Sequence, residues 1–320
     1  YIYLYIPLIT MGLMSREYQS GSIKLLYSSP VKNTSIIIGK FLSMMVYGGA
    51  LIAVLGVFVI FSAITIVNFD YPLVLSGMLG LYLLILAYSA IGLFMSSITK
   101  YQVVAAIGTL AVLAVLNFIG DVGQDYDLVR HITYWLSITG RAYPFIDGLI
   151  ASDNIFYFLI VIGFFLALSI LKLNTEKTIT PLKIKVLKYC VIVFVVLILG
   201  YVSSTPYTKY YYDATYTKSN TLAKESQDVI KNLDGDLTIT TYVNLLDEDL
   251  YNGLPRNRNN DFKRFEKYYR FKPDIEMKYV YYYDKSNNSS LEWRFPNKTF
   301  EERVELLCQA NNLKRDMFMS

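Results

Sequence analysis

Residues 14–40 read MSREYQSGSIKLLYSSPVKNTSIIIGK and lie between two strongly apolar stretches of the chain. The segment carries charge at Arg16 and Glu17, and it is punctuated by Gly21 and Pro30. Charged segments between apolar runs long enough to cross a bilayer are typical of loops at a membrane surface. The segment therefore marks where one membrane span ends and the next begins, and this division decides the fold class.

The polar residues are concentrated in the last third of the chain. Of the 320 residues, 54% are hydrophobic, and the mean hydropathy is +0.35. Residues 1–202 contain 12 Lys and Arg and 8 Asp and Glu, whereas residues 203–320 contain 18 of each kind. This distribution predicts a membrane part followed by a polar part. The net charge of +4 arises in the membrane part and argues against a nucleic-acid partner.

The apolar runs predict a polytopic α-helical membrane protein. About 20 apolar residues are needed for a helix to cross the hydrocarbon core, and a helix satisfies its own backbone groups there. We predict about six spans, the first of them truncated, followed by an α/β domain. The predicted spans cover about 1–14, 41–66, 73–96, 102–119, 155–171 and 186–202.

The charges of the loops predict the orientation. Loops 15–40, 97–101 and 172–185 are basic, whereas loops 67–72 and 120–154 are acidic. Basic loops face the cytoplasm in most membrane proteins. We therefore expect the three basic loops on the cytoplasmic side and residues 203–320 outside.

The segment 14–40 also has a predicted local structure. Ser15 can cap a helix that carries Glu17 in its first turn, Gly21 marks a bend, and Pro30 ends the helix. Two alternatives remain open at this point: a short helix lying along the membrane surface, or an amphipathic loop that only tucks under the bilayer. The apolar side of the segment is formed by Ile23, Leu25 and Leu26.

The stretch PLITMGLMSREYQSGSIKLLYSSPVKNTSIIIGKFLS resembles the signature of type-2 ABC transporter permeases. In that family a span runs into E-x-x-x-G-[ST]-x-x-x-L-x-x-x-P and then into G-K at the next span. The matching residues here are Glu17, Gly21, Ser22, Leu26, Pro30, Gly39 and Lys40. The resemblance implies a helix that couples the permease to an ATP-binding subunit, with Gly39 and Lys40 at the span entry. The coupling residues it implies are Arg16, Glu17, Gly21, Ser22, Leu25, Leu26 and Pro30.

A second stretch, AYPFIDGLIASDNIFYFLIVIGFFLALSILKL, resembles the end of the same family. There an outer loop with F-x-x-G leads into the last span, and Phe145 and Gly148 occupy those positions. The resemblance covers residues 1–172. The family's first span is missing, so we expect further sequence before Tyr1.

The chain does not carry its own ATPase motif. Gly39 and Lys40 resemble the end of a phosphate-binding loop, but position 34 is Thr and Phe41 follows the lysine, so G-x-x-x-x-G-K-[ST] is absent. We predict that the chain is not an enzyme, that it binds no cofactor, and that a separate subunit hydrolyses ATP.

Residues after 172 extend beyond the permease resemblance. We predict a basic linker with an extra transmembrane anchor at 173–202 and an extracytoplasmic α/β domain at 203–320, which we expect to be incomplete. Its helix–strand–helix–strand order predicts a parallel strand pair. The stretch DATYTKSNTLAKESQDVIKNLDGDLTITTYVNLLD resembles the gliding-motility-type (GldG-like) component of ABC systems, over about residues 186–290.

The chain contains few residues of the types that catalyse reactions or bind metal ions. The chain has two cysteines, Cys190 and Cys308, and one histidine, His131, which argues against zinc enzymes and Ser-His-Asp hydrolases. We predict no metal site and no catalytic residues. The acidic residues at 234, 236 and 247–249 are interpreted as solvated loops, with weak Ca²⁺ binding as the alternative.

Two functions are compatible with these features. The first is the permease subunit of an ABC exporter in the bacterial cytoplasmic membrane, with an ATP-binding subunit and a second permease copy or paralogue as partners. The second is a membrane scaffold that presents the outer domain to an envelope protein or glycan in a motility or cell-envelope complex. The shortage of polar groups in the spans, where Asn117 is an exception, favours the scaffold slightly.

Overall fold

The structure is a computed structural model that describes residues 2–124, 126–177, 181–205, 208–284, 289–311 and 318–319. The chain forms two compact units. Unit 1 consists of Tyr1–Gly120 and Leu136–Asn220, and unit 2 consists of Asp121–Trp135 and Thr221–Ser320. The chain therefore crosses three times from one unit to the other. The predicted domain boundaries at residues 172 and 202 stay a prediction.

Unit 1 is a helical membrane bundle. Among the described residues, five segments are long and apolar enough to cross a membrane, namely Asn33–Thr65, Tyr71–Ile98, Gln102–Asp121, Ser152–Lys177 and Leu182–Ser204. They confirm five of the predicted spans and the prediction of a multi-pass membrane protein. The helices are α1 (Ile2–Thr10), α2 (Gly12–Ser20), α3 (Ile23–Ser28), α4 (Asn33–Thr65), α5 (Tyr71–Ile98), α6 (Gln102–Phe118), α8 (Ile138–Ile146), α9 (Ser152–Lys177) and α10 (Leu182–Ser204).

Helix α5 lies at the centre of unit 1 and packs against α1, α2, α4, α6, α8 and α9. Small residues in α5 permit this close packing, since membrane helices approach closely where side chains are short. A Cβ at Gly80 would lie 2.5 Å from Cβ of Phe145 in α8, and a Cβ at Gly92 would overlap Thr10 in α1. Two glycines therefore determine how closely α8 and α1 pack on the central helix.

The predicted first span, 1–14, corresponds to α1 and the start of α2, which are nine residues each and break at Met11. The hydroxyl of Ser96 in α5 accepts from the backbone N–H groups of Met14 and Ser15, at 2.9 and 3.0 Å, and donates to Met11 O at 2.8 Å. The predicted cap at Ser15 is wrong. Ser15 lies buried inside α2, where its hydroxyl donates to Met11 O, because α2 begins at Gly12.

One end of unit 1 is closed by a two-stranded ribbon, β1 (Leu149–Ala151) paired antiparallel with β2 (Tyr211–Asp213). Asp70 lies at the same end, where it accepts from the backbone N–H groups of Leu73 (3.1 Å) and Tyr216 (2.8 Å). We call this the Asp70 end. The opposite end of the bundle holds α2, α3 and the start of α4, and we call it the Glu17 end.

Unit 2 contains a three-stranded parallel sheet of order β3–β4–β5. Strand β3 (Thr238–Asn244) pairs with β4 (Glu276–Tyr282) along its whole length, and β5 (Phe318–Met319) pairs with the other edge of β4. The predicted parallel pair is confirmed. The helices are α7 (Asp127–Leu136, whose last residue belongs to unit 1), α11 (Lys224–Lys231), α12 (Leu250–Gly253), α13 (Arg258–Tyr269), α14 (Ser289–Arg294) and α15 (Phe300–Ala310).

The segment Asp121–Trp135 lies between two membrane helices in sequence but packs inside unit 2. Asn259 in α13 donates from Nδ2 to Oε1 of Gln124 at 2.7 Å, and the ring of Phe262 lies 6.3 Å from that of His131. A loop between two membrane helices thus contributes to the α/β unit. The unit's apolar core is formed by Val243, Leu245, Leu246, Leu254, Tyr281, Val304, Leu307 and Cys308.

Candidate functional site

The predicted coupling segment forms two helices rather than one. Gly21 adopts the left-handed conformation (φ 76°), and its N–H bonds to Tyr18 O at 3.4 Å, which ends α2. A residue in this conformation is a common helix terminator, and glycine adopts it without steric cost. Helix α3 ends at Ser28, two residues before Pro30. The bend at Gly21 and the stop before Pro30 are confirmed, whereas the single coupling helix is replaced by the α2–α3 pair.

Two residues of the predicted motif form an ion pair. The Lys40 Nζ atom lies 2.6 Å from Glu17 Oε1, which joins α2 to α4. The two side chains are only 22% and 26% exposed, so the pair is partly shielded from solvent. The second carboxylate oxygen, Oε2 of Glu17, is buried and has no hydrogen-bond partner among the described residues.

Glu176, near the end of α9, holds both helices of the α2–α3 pair. Its Oε2 accepts from the hydroxyls of Tyr18 (2.6 Å) and Tyr27 (3.1 Å), and its Oε1 lies 2.8 Å from Lys172 Nζ. Burial, followed by the contact with Glu176, raises the pKa of Tyr18; burial is also the largest cause of the raised pKa of Tyr27. Both hydroxyls therefore stay protonated and donate to the carboxylate at neutral pH.

Sequence reasoning missed Glu176, which counted only as one charge of a basic loop. The partners lie 158 and 149 residues away along the chain, and no local pattern connects them. A further polar contact joins the same elements, since Asn33 Nδ2 at the start of α4 donates to Asn174 Oδ1 in α9 at 2.9 Å. The Glu17 end is therefore a polar junction between α2, α3, α4 and α9.

The outer surface of the α2–α3 pair carries both apolar and basic groups. Leu25 is 73% exposed, and Arg16, Lys24 and Pro30 are exposed as well, whereas Ile23 is buried. The predicted apolar patch is thus divided, with Ile23 turned into the bundle and Leu25 turned out. An open cavity of about 520 Å³ lies beside this surface, and its polar lining comes from Arg16, Glu17, Ser20, Ser22 and Lys40.

The remaining predicted residues lie elsewhere in unit 1 or contribute little contact. Gly39 is exposed, and a Cβ there would meet nothing within 4 Å. Phe145 is fully buried, with its ring 6.3 Å from that of Phe158, and it packs over Gly80. Gly148 has a φ of 81°, and a Cβ there would lie 2.7 Å from side-chain atoms of Leu73 and Thr215. Phe145 and Gly148 are therefore packing residues, Phe145 against α5 and Gly148 at the Asp70 end.

The part of the chain that the structure describes contains no group of three or more His, Cys, Asp or Glu side chains placed to hold a metal ion. Most polar groups of the Glu17 end pair with one another and join α2 and α3 to α4 and α9.

Residues 2–124 match the model of a family described as ABC-2 family transporter protein. We call these residues the ABC-2 segment; it includes α1 to α6 and both partners of the Glu17–Lys40 pair. The match supports a transmembrane component of an ABC-type transporter, and it implies an ABC ATP-binding partner. Neither the curated proteins nor the solved structures contain a match to the chain.

Proposed function

We propose that the chain is the permease subunit of an ABC exporter and that the α2–α3 pair docks on a separate ATPase subunit. The observation that carries the proposal is the family match over residues 2–124, which includes the α2–α3 pair. Its support is the exposed surface around Leu25, since large apolar side chains beside basic ones are typical of protein contacts.

The contacts of the α2–α3 pair suggest how docking drives movement. The Glu17–Lys40 ion pair connects α2 to α4, and Glu176 connects α2 and α3 to α9. A push on the pair by the ATPase is thereby transmitted to two membrane helices. Coupling requires that the ATPase bind two arrangements of these helices with different affinity.

The orientation proposed here places the Glu17 end in the cytoplasm and the Asp70 end outside. The support is the excess of basic residues near the Glu17 end, which agrees with the positive-inside rule. Residues 203–320 then lie outside the bacterial cytoplasmic membrane as an accessory domain of the GldG type. Such a domain offers a surface to an envelope protein or glycan, and a second permease copy or paralogue completes the transporter.

Co-purification from the native membrane tests the proposal. The parent chain is expressed with its neighbouring genes, captured by a tag on the C-terminal region, and compared with Leu25→Asp. Leu182→Asp is the matched control, because Leu182 in α10 is 76% exposed against 73% for Leu25. We expect an ATP-binding subunit to be captured by the parent and the control and lost at least tenfold with Leu25→Asp.

Capture of envelope proteins with no ATP-binding subunit would refute the permease proposal and favour the scaffold. Equal capture of the ATPase by all three chains would retain the permease but remove the docking role of Leu25.

A further inference from the structure

A cavity of about 380 Å³ lies within unit 1, between α1, α5, α6 and α8. Most of its lining is apolar or aromatic, and it includes Leu84, which lies at the middle of the 28-residue helix α5. The cavity is therefore at membrane depth. Its volume is within the range of about 300–1,000 Å³ that is usual for small-molecule sites.

One wall of this cavity carries a polar cluster of three uncharged side chains. Asn117 Oδ1 accepts from the hydroxyl of Tyr88 at 3.0 Å and from the hydroxyl of Thr139. Asn117 Nδ2 donates to Leu113 O at 2.8 Å. The cluster connects α5, α6 and α8, and Tyr88 is only 3% exposed.

The cluster has hydrogen-bonding capacity left for a ligand. An asparagine oxygen accepts two hydrogen bonds, and both are used here, whereas its amide group has two N–H donors. The second N–H of Asn117 has no partner among the described residues. The oxygens of Tyr88 and Thr139 keep lone pairs, because each hydroxyl donates its hydrogen to Asn117. The wall thus offers both a donor and acceptors.

The lining also restricts the charge of the ligand. Apart from tyrosine hydroxyls, no ionisable side chain among the described residues lines the cavity. An ion transferred to such a site loses several kcal/mol of hydration without a counter-charge. A hydroxyl or amide group, which both donates and accepts, fits the free capacity of the wall.

The cavity opens toward the surface of the bundle. Tyr3, Tyr143 and Ile146 contribute to its lining and are 41%, 54% and 60% exposed. We infer that this exposed side opens to the bilayer, so that a molecule dissolved in lipid reaches the cavity laterally. Polar side chains at this depth are costly and commonly mark ligand pathways.

We propose that this cavity binds an uncharged amphiphile, with a hydroxyl or amide head at Asn117, Tyr88 and Thr139 and an acyl chain along the apolar walls. The inference deepens the proposed function, since the same molecule is the class of cargo that the exporter would carry. Binding itself is measured on the chain without an ATPase, so failure of the cavity and failure of the exporter proposal are distinguishable.

The test uses the full chain in detergent and three probes with the same tail: monooleoylglycerol, methyl oleate and monooleoyl phosphatidic acid. We expect monooleoylglycerol to bind at least tenfold more tightly than the other two by native mass spectrometry. Asn117→Leu should remove this preference, and Ala142→Leu should weaken monooleoylglycerol binding by filling space beside the cluster. Val115→Leu, at a position of α6 that is 59% exposed and does not line the cavity, is the matched control.

Cross-linking with a diazirine-labelled monooleoylglycerol distinguishes a binding site from a polar cluster that only stabilises the fold. We expect its cross-links on Tyr3, Tyr143 or Ile146, and we expect Ala142→Leu to abolish them. Equal binding of the three probes, or monooleoylglycerol binding unaffected by both Asn117→Leu and Ala142→Leu, would overturn the site. If either variant elutes as an aggregate, Tyr88→Phe, which keeps the ring and removes the hydroxyl, replaces it.

Reconstitution with the captured ATPase tests whether the bound amphiphile is transported or stays bound as a structural lipid. A fluorescent monoacylglycerol that changes leaflet only when ATP is hydrolysed supports the cargo assignment. Saturable binding without ATP-driven movement keeps the binding site and overturns its assignment to cargo.

Discussion

Lys40 Nζ contacts Glu17 Oε1 at 2.6 Å, across 23 residues of sequence and from the start of one membrane helix to a helix of the preceding loop. Both residues belong to the predicted permease motif, but the motif itself does not say that they touch. The contact suggests that part of the motif's role is to hold α2 on α4. The effect of a substitution at Glu17 should therefore depend on the residue at position 40.

Glu17→Lys should lower stimulation of the partner ATPase about fivefold, because it replaces an ion pair by two like charges at 22–26% exposure. The double variant Glu17→Lys/Lys40→Glu restores the pair with its charges exchanged, and we expect it to recover most of the stimulation. ATPase rates of reconstituted complexes measure this. If the exchange fails to rescue while both chains insert normally, Glu17 acts on a group other than Lys40.

Tyr18→Phe should destabilise the Glu17 end by about 1 kcal/mol, since it removes a 2.6 Å hydrogen bond to the Glu176 carboxylate. Unfolding in mixed detergent measures the loss. Tyr101→Phe is the control, because Tyr101 is 68% exposed and lies at another turn. Equal loss in both variants would remove the special role of Tyr18.

The same contact predicts a pH dependence with a defined sign. The pKa of Tyr18 is raised above its ordinary value of 10.0, chiefly by burial and then by the hydrogen bond to Glu176. A group whose pKa is raised by folding stabilises the folded state fully below its unfolded pKa, and this contribution is lost as the pH rises further. The free energy of unfolding of the parent chain should thus fall above about pH 10, and that of Tyr18→Phe should fall less. A steeper fall in Tyr18→Phe would contradict this assignment.

Gly92→Ala should destabilise unit 1 by about 1–3 kcal/mol, because its Cβ would overlap Thr10 where α1 crosses α5. Gly49→Ala in α4 is the control, since a Cβ there meets nothing within 4 Å. Thermal aggregation of the detergent-solubilised chain, followed by size-exclusion chromatography, measures both variants. A Gly92→Ala chain as stable as Gly49→Ala would mean that α1 packs less closely on α5.

Asn259→Ala should loosen the segment Asp121–Trp135 within unit 2, since it removes the 2.7 Å hydrogen bond to Gln124. A hydrogen bond contributes about 1 kcal/mol, so we expect amide hydrogen exchange in α7 to rise about fivefold. Asn232→Ala, at an exposed position after α11, serves as the control. Unchanged exchange in α7 would show that Gln124 does not hold the segment.

The sequence predicted the elements better than their contacts. Five of the six predicted spans were correct because an apolar run of about 20 residues has few alternatives to crossing the bilayer. The parallel pair of β3 and β4 followed from alternating strand patterns separated by a helical one. The cap at Ser15 was wrong because the start of α2 depends on Ser96, which lies 81 residues away.

Only the part of the candidate site that has a local sequence signal was predicted. Glu17, Gly21 and Lys40 were predicted because their spacing along the chain resembles a family motif, and the structure places Glu17 against Lys40 and a helix end at Gly21. Glu176 carries no such local signal and becomes visible only when α9 lies beside α2 and α3.

The sequence by itself determined which stretches enter the membrane, how loop charges alternate, and which later segments form strands and helices. These are local properties, since hydropathy, charge and strand periodicity depend on neighbours along the chain. Only the tertiary structure decided that Lys40 pairs with Glu17, that Asn117 faces a cavity, and that Asp121–Trp135 packs in unit 2. Such choices depend on how each helix is rotated and packed against distant neighbours, and that rotation is a property of the whole bundle.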